Sequence, residues 1–338
     1  MRACVYRAPG APLELAELPD PIAGPGELVI RVKACGICGS DLHAAGRNFR
    51  MPAGTIMGHE FSGVIETIGE GVEGFERGAP VLAMSYVGCG RCDRCRAGEA
   101  QRCREVQLVG FGEVAGAYAE LMKTRPASVF KMPAGMSFKQ AATVEPLVVG
   151  LHGLHRADLK AGESCVVMGA GPIGLTTMLW ARFAGARAVV VSEPNEHRRR
   201  LALKMGADAA VDPRMHNPSG RVEALTGAGP QVIFECVGAP GAIAESIAYA
   251  QRGGRVVIVG VCTEEDAFAP ITAMSKELDL RFSLGMERAE VEMALAALAA
   301  GRVATAPMIT HTMPLDALPR AFASLQLPTN QCKVMLEF

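Results

Sequence analysis

The chain of 338 residues carries 34 basic and 35 acidic side chains, for a net charge of −1. That balance gives no electrostatic case for nucleic acid or an acidic membrane surface as partner. Hydrophobic residues make up 49% and aromatics 5%, so the length admits two domains with aliphatic, Ala/Gly-rich cores. The opening MRACVYRAPGAPLE lacks an apolar signal region, and no uninterrupted apolar run reaches membrane-spanning length. With 11 cysteines and no such signal, a reducing cytoplasm is the expected location, and metal ligation the expected use of clustered thiols.

Residues 1–147 read as a β-rich domain of short runs broken by Gly and Pro, with strands at 28–32, 62–68 and 81–84. It contains Cys38-Gly39-Ser40-Asp41-Leu42-His43, then Gly58-His59-Glu60, and ends near Val144-Glu145-Pro146. Together these supply one thiolate, one imidazole and two carboxylates, which suits a catalytic zinc with three protein ligands and an open position. Cys35 stands at C-x2-C spacing from Cys38, so a Cys35/Cys38 pair at another metal or redox site is an alternative. Asp41 is suited to accept a hydrogen bond from His59 and fix its tautomer.

Between these segments, Cys89, Cys92, Cys95 and Cys103 form a C-x2-C-x2-C-x7-C cluster. Four closely spaced thiolates close a tetrahedral zinc site with no position left for substrate, so this site is expected to be structural. Disulfides or free thiols are the alternative. The flanking glycines suit a tight turn, and Arg91, Arg94 and Arg96 are expected to offset the sulfur charge.

From 148 to 285 strands alternate with helices: 165–168, 188–192, 232–236, 256–259 and 280–283, against helices 172–184, 196–205 and 240–251. The alternation predicts a doubly wound parallel sheet, hence an α/β chain overall. Gly169-Ala170-Gly171-Pro172-Ile173-Gly174 lies at a predicted strand-to-helix turn, and Glu193 ends the next strand. This is a dinucleotide fingerprint in its proper context: Gly169 for the turn, Gly171 for approach to the pyrophosphate, Gly174 for helix–strand packing. Glu193 should accept from the adenosine ribose and repel a 2′-phosphate, favouring NAD over NADP, with Arg198 over the adenine or at the ribose; Arg199 and Arg200 beside it leave tolerance of NADP as an alternative. Val237, Val259 and Val261 are further expected cofactor contacts. The tail, 286–338, shows helices at 289–300 and 315–325 and a strand at 333–338; it either extends the second domain or returns to the first.

Taken together, GICGSDLH, GHE, the four-cysteine lobe, EPL, GAGPIG and the terminal KVMLEF resemble the zinc-dependent medium-chain alcohol/polyol dehydrogenases, in their sorbitol/threonine dehydrogenase-like branch. The resemblance spans essentially the whole chain. It implies a GroES-like catalytic domain (1–147), a Rossmann NAD-binding domain (148–285) and a C-terminal segment (286–338) completing the first. It also implies two Zn²⁺ per chain, homodimers or homotetramers, and a small alcohol or ketone as substrate. The ligands to catalytic zinc would be Cys38 and His59, with Glu60 or Glu145 third. Such enzymes oxidise a secondary alcohol, diol or polyol, with Ser40 and His43 relaying the proton and hydride passing to the nicotinamide. Ala44-Ala45, with Phe49, Met51 and Met286, suggests a pocket for a less polar alcohol. A zinc-independent quinone or enone reductase and a non-catalytic NAD-binding protein are the competing readings; both predict erosion of the ligand sets, which are intact in this sequence.

Overall fold

The computed structural model describes residues 1–46, 51–325 and 330–338, so Phe49 lies outside the described residues. The chain divides into two compact units. The first comprises Met1–Glu145, Glu287–Ala299 and Ile309–Phe338. Its frame is a mixed sheet in the order Ile309–Pro314, Lys333–Glu337, Leu28–Gly36, Glu60–Ile68, Pro80–Ala83, Val129–Lys131, with Leu121–Thr124 also on Leu28–Gly36. Leu28–Gly36 runs four residues past its sequence expectation. Its first half pairs with Leu121–Thr124 and its last residues with Lys333–Glu337, partners distant in sequence that carry it through Lys33. The core beneath gathers Leu28, Ile30, Val32, Phe61, Ile65, Tyr118 and Phe322, together with Ala44, Ala45 and Met51.

The second unit comprises Pro146–Met286 and Ala300–Met308. Six parallel strands lie in the order Ala209–Val211, Ala188–Ser192, Ser164–Met168, Val232–Glu235, Arg255–Ile258, Asp279–Phe282. The two central strands, SCVVM and VIFE, are buried throughout, as expected when helices cover both faces. The strand order reverses at Ser164–Met168, which makes its C-terminal end the switch point where such sheets bind ligands. The three-residue strand Ala209–Val211 and the helix Pro218–Thr226 were not expected from the sequence. That helix has little amphipathic signal, but its ends are marked: Asn217 Oδ1 accepts from the Ser219 and Gly220 amides, and Gly227 closes it at φ 78°. The tail divides rather than moving as one segment, since Ala300–Met308 groups with the second unit. Among the described residues, no helix is long and apolar enough to cross a membrane.

Candidate active site and metal centres

The four-cysteine loop is built by two short helical turns. Cys92 caps the helix Asp93–Arg96, its sulfur accepting from the Cys95 amide, and Ala100–Arg102 forms a 3-10 turn before Cys103. Sulfur separations are 4.0 Å for Cys89–Cys95 and 3.8 Å for Cys92–Cys103. Four sulfurs ~2.3 Å from a tetrahedral zinc lie ~3.8 Å apart, whereas a disulfide needs ~2.05 Å. The spacing fits zinc, and all 11 cysteines are free thiols. Backbone amides of Cys89 and Glu105 point at Cys103 Sγ at 3.5 and 3.3 Å. Backbone hydrogen bonds also pull the Cys89 thiol down to about 6, while burial pushes Cys95 up to about 12. Arg91 pairs with Glu105 and Arg94 with Glu99, yet Arg91 also feels the charge of Cys89 and Cys103, so it and the backbone amides both offset the sulfurs. Gly88 is a steric requirement, because a Cβ there would lie 2.5 Å from Cys95 Sγ.

The second cluster joins Cys38, His59 and Glu60, each with a ligand atom within 4.8 Å of the others. Cys38 precedes the short helix Gly39–Ala44, and His59-Glu60 opens the strand Glu60–Ile68. Ser40 Oγ donates to Cys38 Sγ at 3.1 Å and lies 3.4 Å from His59 Nε2, while His43 is exposed on the same helix. Asp41, fully buried, approaches His59 Nδ1 at 3.3 Å and accepts from the Cys38 amide at 3.1 Å. Burial alone would depress the His59 imidazole, yet the Asp41 and Cys38 charges raise it well above the ordinary value. Surroundings that hold a cation on a buried ring suit a dication, and thiolate, imidazole and carboxylate are zinc donors. Cys35 does not join this group; it is packed into the core at 0% exposure.

The two carboxylates differ in their partners. Glu60 is fully buried, and Lys333 Nζ lies 2.6 Å from each of its oxygens and 3.0 Å from the Ile37 carbonyl. Glu145, in the first turn of the helix Val144–Ala157, accepts from Ser85 Oγ at 3.1 Å, and burial pushes its carboxyl up to about 7. Lys333 was not among the sequence candidates. A lysine heading and a glutamate ending the strand Lys333–Glu337 gave no signal for such a role. His152 and His155 lie on the helix Val144–Ala157, as expected of a helix face. Ala44, Ala45 and Met51 belong to the core of their unit, which removes the basis for an apolar substrate pocket, and Met286 is also buried.

In the second unit Gly169 takes φ 88°, and a Cβ on Gly174 would strike the Gly169 carbonyl at 1.9 Å. Gly171 caps the helix Pro172–Phe183, with Pro172 at its first turn followed by Ile173, and faces open space. The helix N-terminus thus presents free amides to a phosphate. Glu193 is buried at 5% exposure, its oxygens accepting from the Ala170 amide at 2.9 Å and the Asn195 amide at 2.8 Å. It therefore ties the glycine turn to the next strand, with lone pairs remaining for a ribose hydroxyl. Arg198 lies in the first turn of the helix Glu196–Lys204. Val237 and Val261 are half exposed, and Val237 lies against Gly169. Val259 is buried against Gly153 instead, so the structure gives its side chain a packing role.

Two family models match this chain: Alcohol dehydrogenase GroES-like domain over residues 24–134 and Zinc-binding dehydrogenase over 172–300. The chain is 35% identical to a 2-dehydro-3-deoxy-L-galactonate 5-dehydrogenase of Pseudoalteromonas atlantica, covering 92% of each. It is 32% identical to a sorbitol dehydrogenase of Bacillus subtilis, covering 96% of this chain and 94% of that one. A solved structure from Sinorhizobium meliloti 1021, described as a zinc-binding dehydrogenase bound to NADP, superimposes with a TM-score of 0.90 at 31% identity, covering 100% of this chain and 99% of that one. Both groups that could hold a metal ion are assembled, which neither a zinc-independent reductase nor a non-catalytic nucleotide-binding protein would need. The chain belongs to the zinc-type medium-chain alcohol/polyol dehydrogenases, nicotinamide-dependent enzymes that oxidise alcohols to ketones.

Proposed function

We propose that this enzyme oxidises a secondary hydroxyl of a polyol, or of a related polyhydroxylated small molecule, using NAD. Catalytic zinc is assigned to Cys38, His59 and Glu60, and a second, structural zinc to Cys89, Cys92, Cys95 and Cys103. The observation that carries this reading is the Cys38–His59–Glu60 group with Ser40 Oγ against two of its members. The substrate class follows the polyhydroxylated substrates named for the two relatives, and Ala44-Ala45 no longer argues against it.

Zinc at this site supplies Lewis-acid polarisation of the substrate oxygen, which lowers the hydroxyl pKa. Ser40 is placed to take the hydroxyl proton, and His43 on the same short helix passes it to solvent. Asp41 holds the His59 ring. Glu145, hydrogen-bonded to Ser85, would serve the bound metal through water rather than as a direct ligand. Gly169, Gly171 and Gly174 shape the pyrophosphate turn, and Glu193 accepts from the ribose. A carboxylate at that point disfavours a 2′-phosphate, which supports NAD over NADP. A homodimer or homotetramer and a cytoplasmic location complete the reading.

The test is zinc content together with NAD⁺ reduction across hexitols, sugar acids, diols, L-threonine and cyclic secondary alcohols. Two zincs per chain and turnover of polyhydroxylated members are expected, with Cys38→Ser losing one zinc and all activity while NAD still binds. Normal turnover by Cys38→Ser would overturn the site, and turnover confined to cyclic alcohols would overturn the substrate class. Glu193→Ala should narrow the preference for NAD over NADP, and no change would move ribose recognition to another residue.

A further inference from the structure

Asp41 has a partner that no sequence motif marked. Tyr118 is fully buried, and its hydroxyl donates to Asp41 Oδ2 at 2.6 Å across 77 residues of sequence. The same oxygen accepts from the Cys38 amide at 3.1 Å, while Oδ1 faces His59 Nδ1 at 3.3 Å. The Tyr118 ring also fixes the other ligand segment. A Cβ on Gly58, which has φ 91°, would lie 2.4 Å from that ring. The Tyr118 amide donates to the Met57 carbonyl at 2.8 Å, and the Ala117 amide to the Gly58 carbonyl at 2.8 Å. Phe322 closes the far side, edge-on at 6.4 Å. One side chain is therefore clamped between the segment bearing His59 and the carboxylate facing the back of its ring.

We infer that Tyr118 is a positioning residue for the catalytic metal: its hydroxyl anchors Asp41, and through Asp41 it sets the orientation of the His59 imidazole. The inference rests on the assignment of zinc to Cys38 and His59. A carboxylate opposing a ligand histidine is useful only if it cannot rotate, because the ring follows its acceptor. The Cys38 amide and the Tyr118 hydroxyl converge on one oxygen and leave the other aimed at His59. A hydrogen bond from a neutral donor to a carboxylate is among the stronger ones in a protein, and a dry interior offers no water to replace it. Tyr118→Phe keeps the ring, the Gly58 contact and the Phe322 contact, and removes the hydroxyl alone.

The test measures zinc affinity of the full-length protein against a chromophoric chelator, together with the visible spectrum after cobalt replaces the catalytic zinc. Tyr118→Phe should weaken zinc at this site about tenfold, the low end of the effect for residues supporting a ligand. The four-cysteine zinc should be unaffected, and the cobalt bands should shift. In an Asp41→Asn background, Tyr118→Phe should change the affinity less than about twofold, since its path to the metal is already broken. Trp180→Phe, which removes a buried hydrogen bond to the Leu147 carbonyl in the other unit, controls for destabilisation alone and should leave both readouts unchanged. A lowered Tm with unchanged affinity and spectrum would make Tyr118 merely structural, as would full additivity with Asp41→Asn. If wild type held one zinc and Cys38→Ser removed none, the metal assignment would fail rather than the role of Tyr118.

Discussion

Lys333→Met is the substitution whose outcome depends most directly on the catalytic metal. Lys333 is 1% exposed and Glu60 0%, and Nζ bridges both carboxylate oxygens at 2.6 Å. Burial works against the ammonium, but attraction to Glu60 outweighs it and holds the lysine charged well above its ordinary range. Methionine fills similar volume and leaves Glu60 buried without its cation. Breaking one partner of such a pair costs about 3–5 kcal/mol. At about 2–4 °C per kcal/mol for a unit of this size, Tm should fall on the order of 10 °C. That figure applies when no other cation faces Glu60. With zinc on Cys38 and His59, the metal takes over part of the compensation, and the loss should shrink by about half or more.

The contrast can be measured without stripping the structural zinc. Lys333→Met is made in the wild-type background and in the Cys38→Ser background, and thermal unfolding of all four proteins is followed near pH 7. The larger drop is expected in the Cys38→Ser pair. The raised folded pKa means that the stability from the charged lysine is fully present below the pKa of an unfolded lysine, near ~10.4. It is lost only as pH rises through the higher folded value, so the difference should be flat from about pH 6 to pH 9. Equal drops in the two backgrounds would refute the idea that zinc and Lys333 share one carboxylate. No drop in either would refute the buried pair.

Gly88→Ala should empty the four-cysteine site, because the added methyl falls 2.5 Å from Cys95 Sγ. One zinc per chain should be lost while the catalytic zinc is kept, and full metal content with unchanged Tm would show that the loop can give way. Glu163 pairs with Arg255 in the second unit, where the two side chains are 23% and 13% exposed. Burial pushes the Glu163 carboxyl up, but the Arg255 hydrogen bond and the Lys160 amide outweigh it and hold the group low. A lowered folded pKa gives stability that is present above the unfolded value, near ~4.3, and lost as pH falls through the folded one. Glu163→Gln should therefore cost about 1 kcal/mol by urea unfolding at pH 7, with the gap closing at pH 3; an equal gap at both would point to lost packing.

What the sequence made legible was local. The turn at Gly169 and the close approach at Gly174 are properties of a six-residue motif, and the strand Ala188–Ser192 is bounded as its β-branched run predicts. Cysteine spacing likewise contains the geometry of a four-sulfur loop. What stayed hidden depends on pairs distant along the chain. Lys333 meets Glu60 across 273 residues and Tyr118 meets Asp41 across 77. Neither lysine nor tyrosine is unusual in its own segment, so only the fold gives them a role. Ala44 and Ala45 show the converse error: small apolar residues next to a reactive motif look like a pocket wall, yet they pack into the core one helical turn from Asp41.

The charges buried around His59 give a reason for a lysine to sit beside a group that would hold zinc. Cys38 as thiolate, Asp41 and Glu60 are three anions, and Lys333 neutralises one of them. A dication on Cys38 and His59 would cancel the remaining two, while a fourth anion at Glu145 would leave an excess buried charge. Burial pushes the Glu145 carboxyl up to about 7, although the Ser85 hydroxyl that donates to it favours the charged form. Buried ions persist when their neighbours compensate them. In this arrangement zinc would balance the cluster, and without it the His59 cation held by Asp41 and Cys38 offsets part of the negative charge. Glutamate at 145, its carboxyl raised by burial, thus adds less negative charge to the cluster than a carboxylate at its ordinary value would.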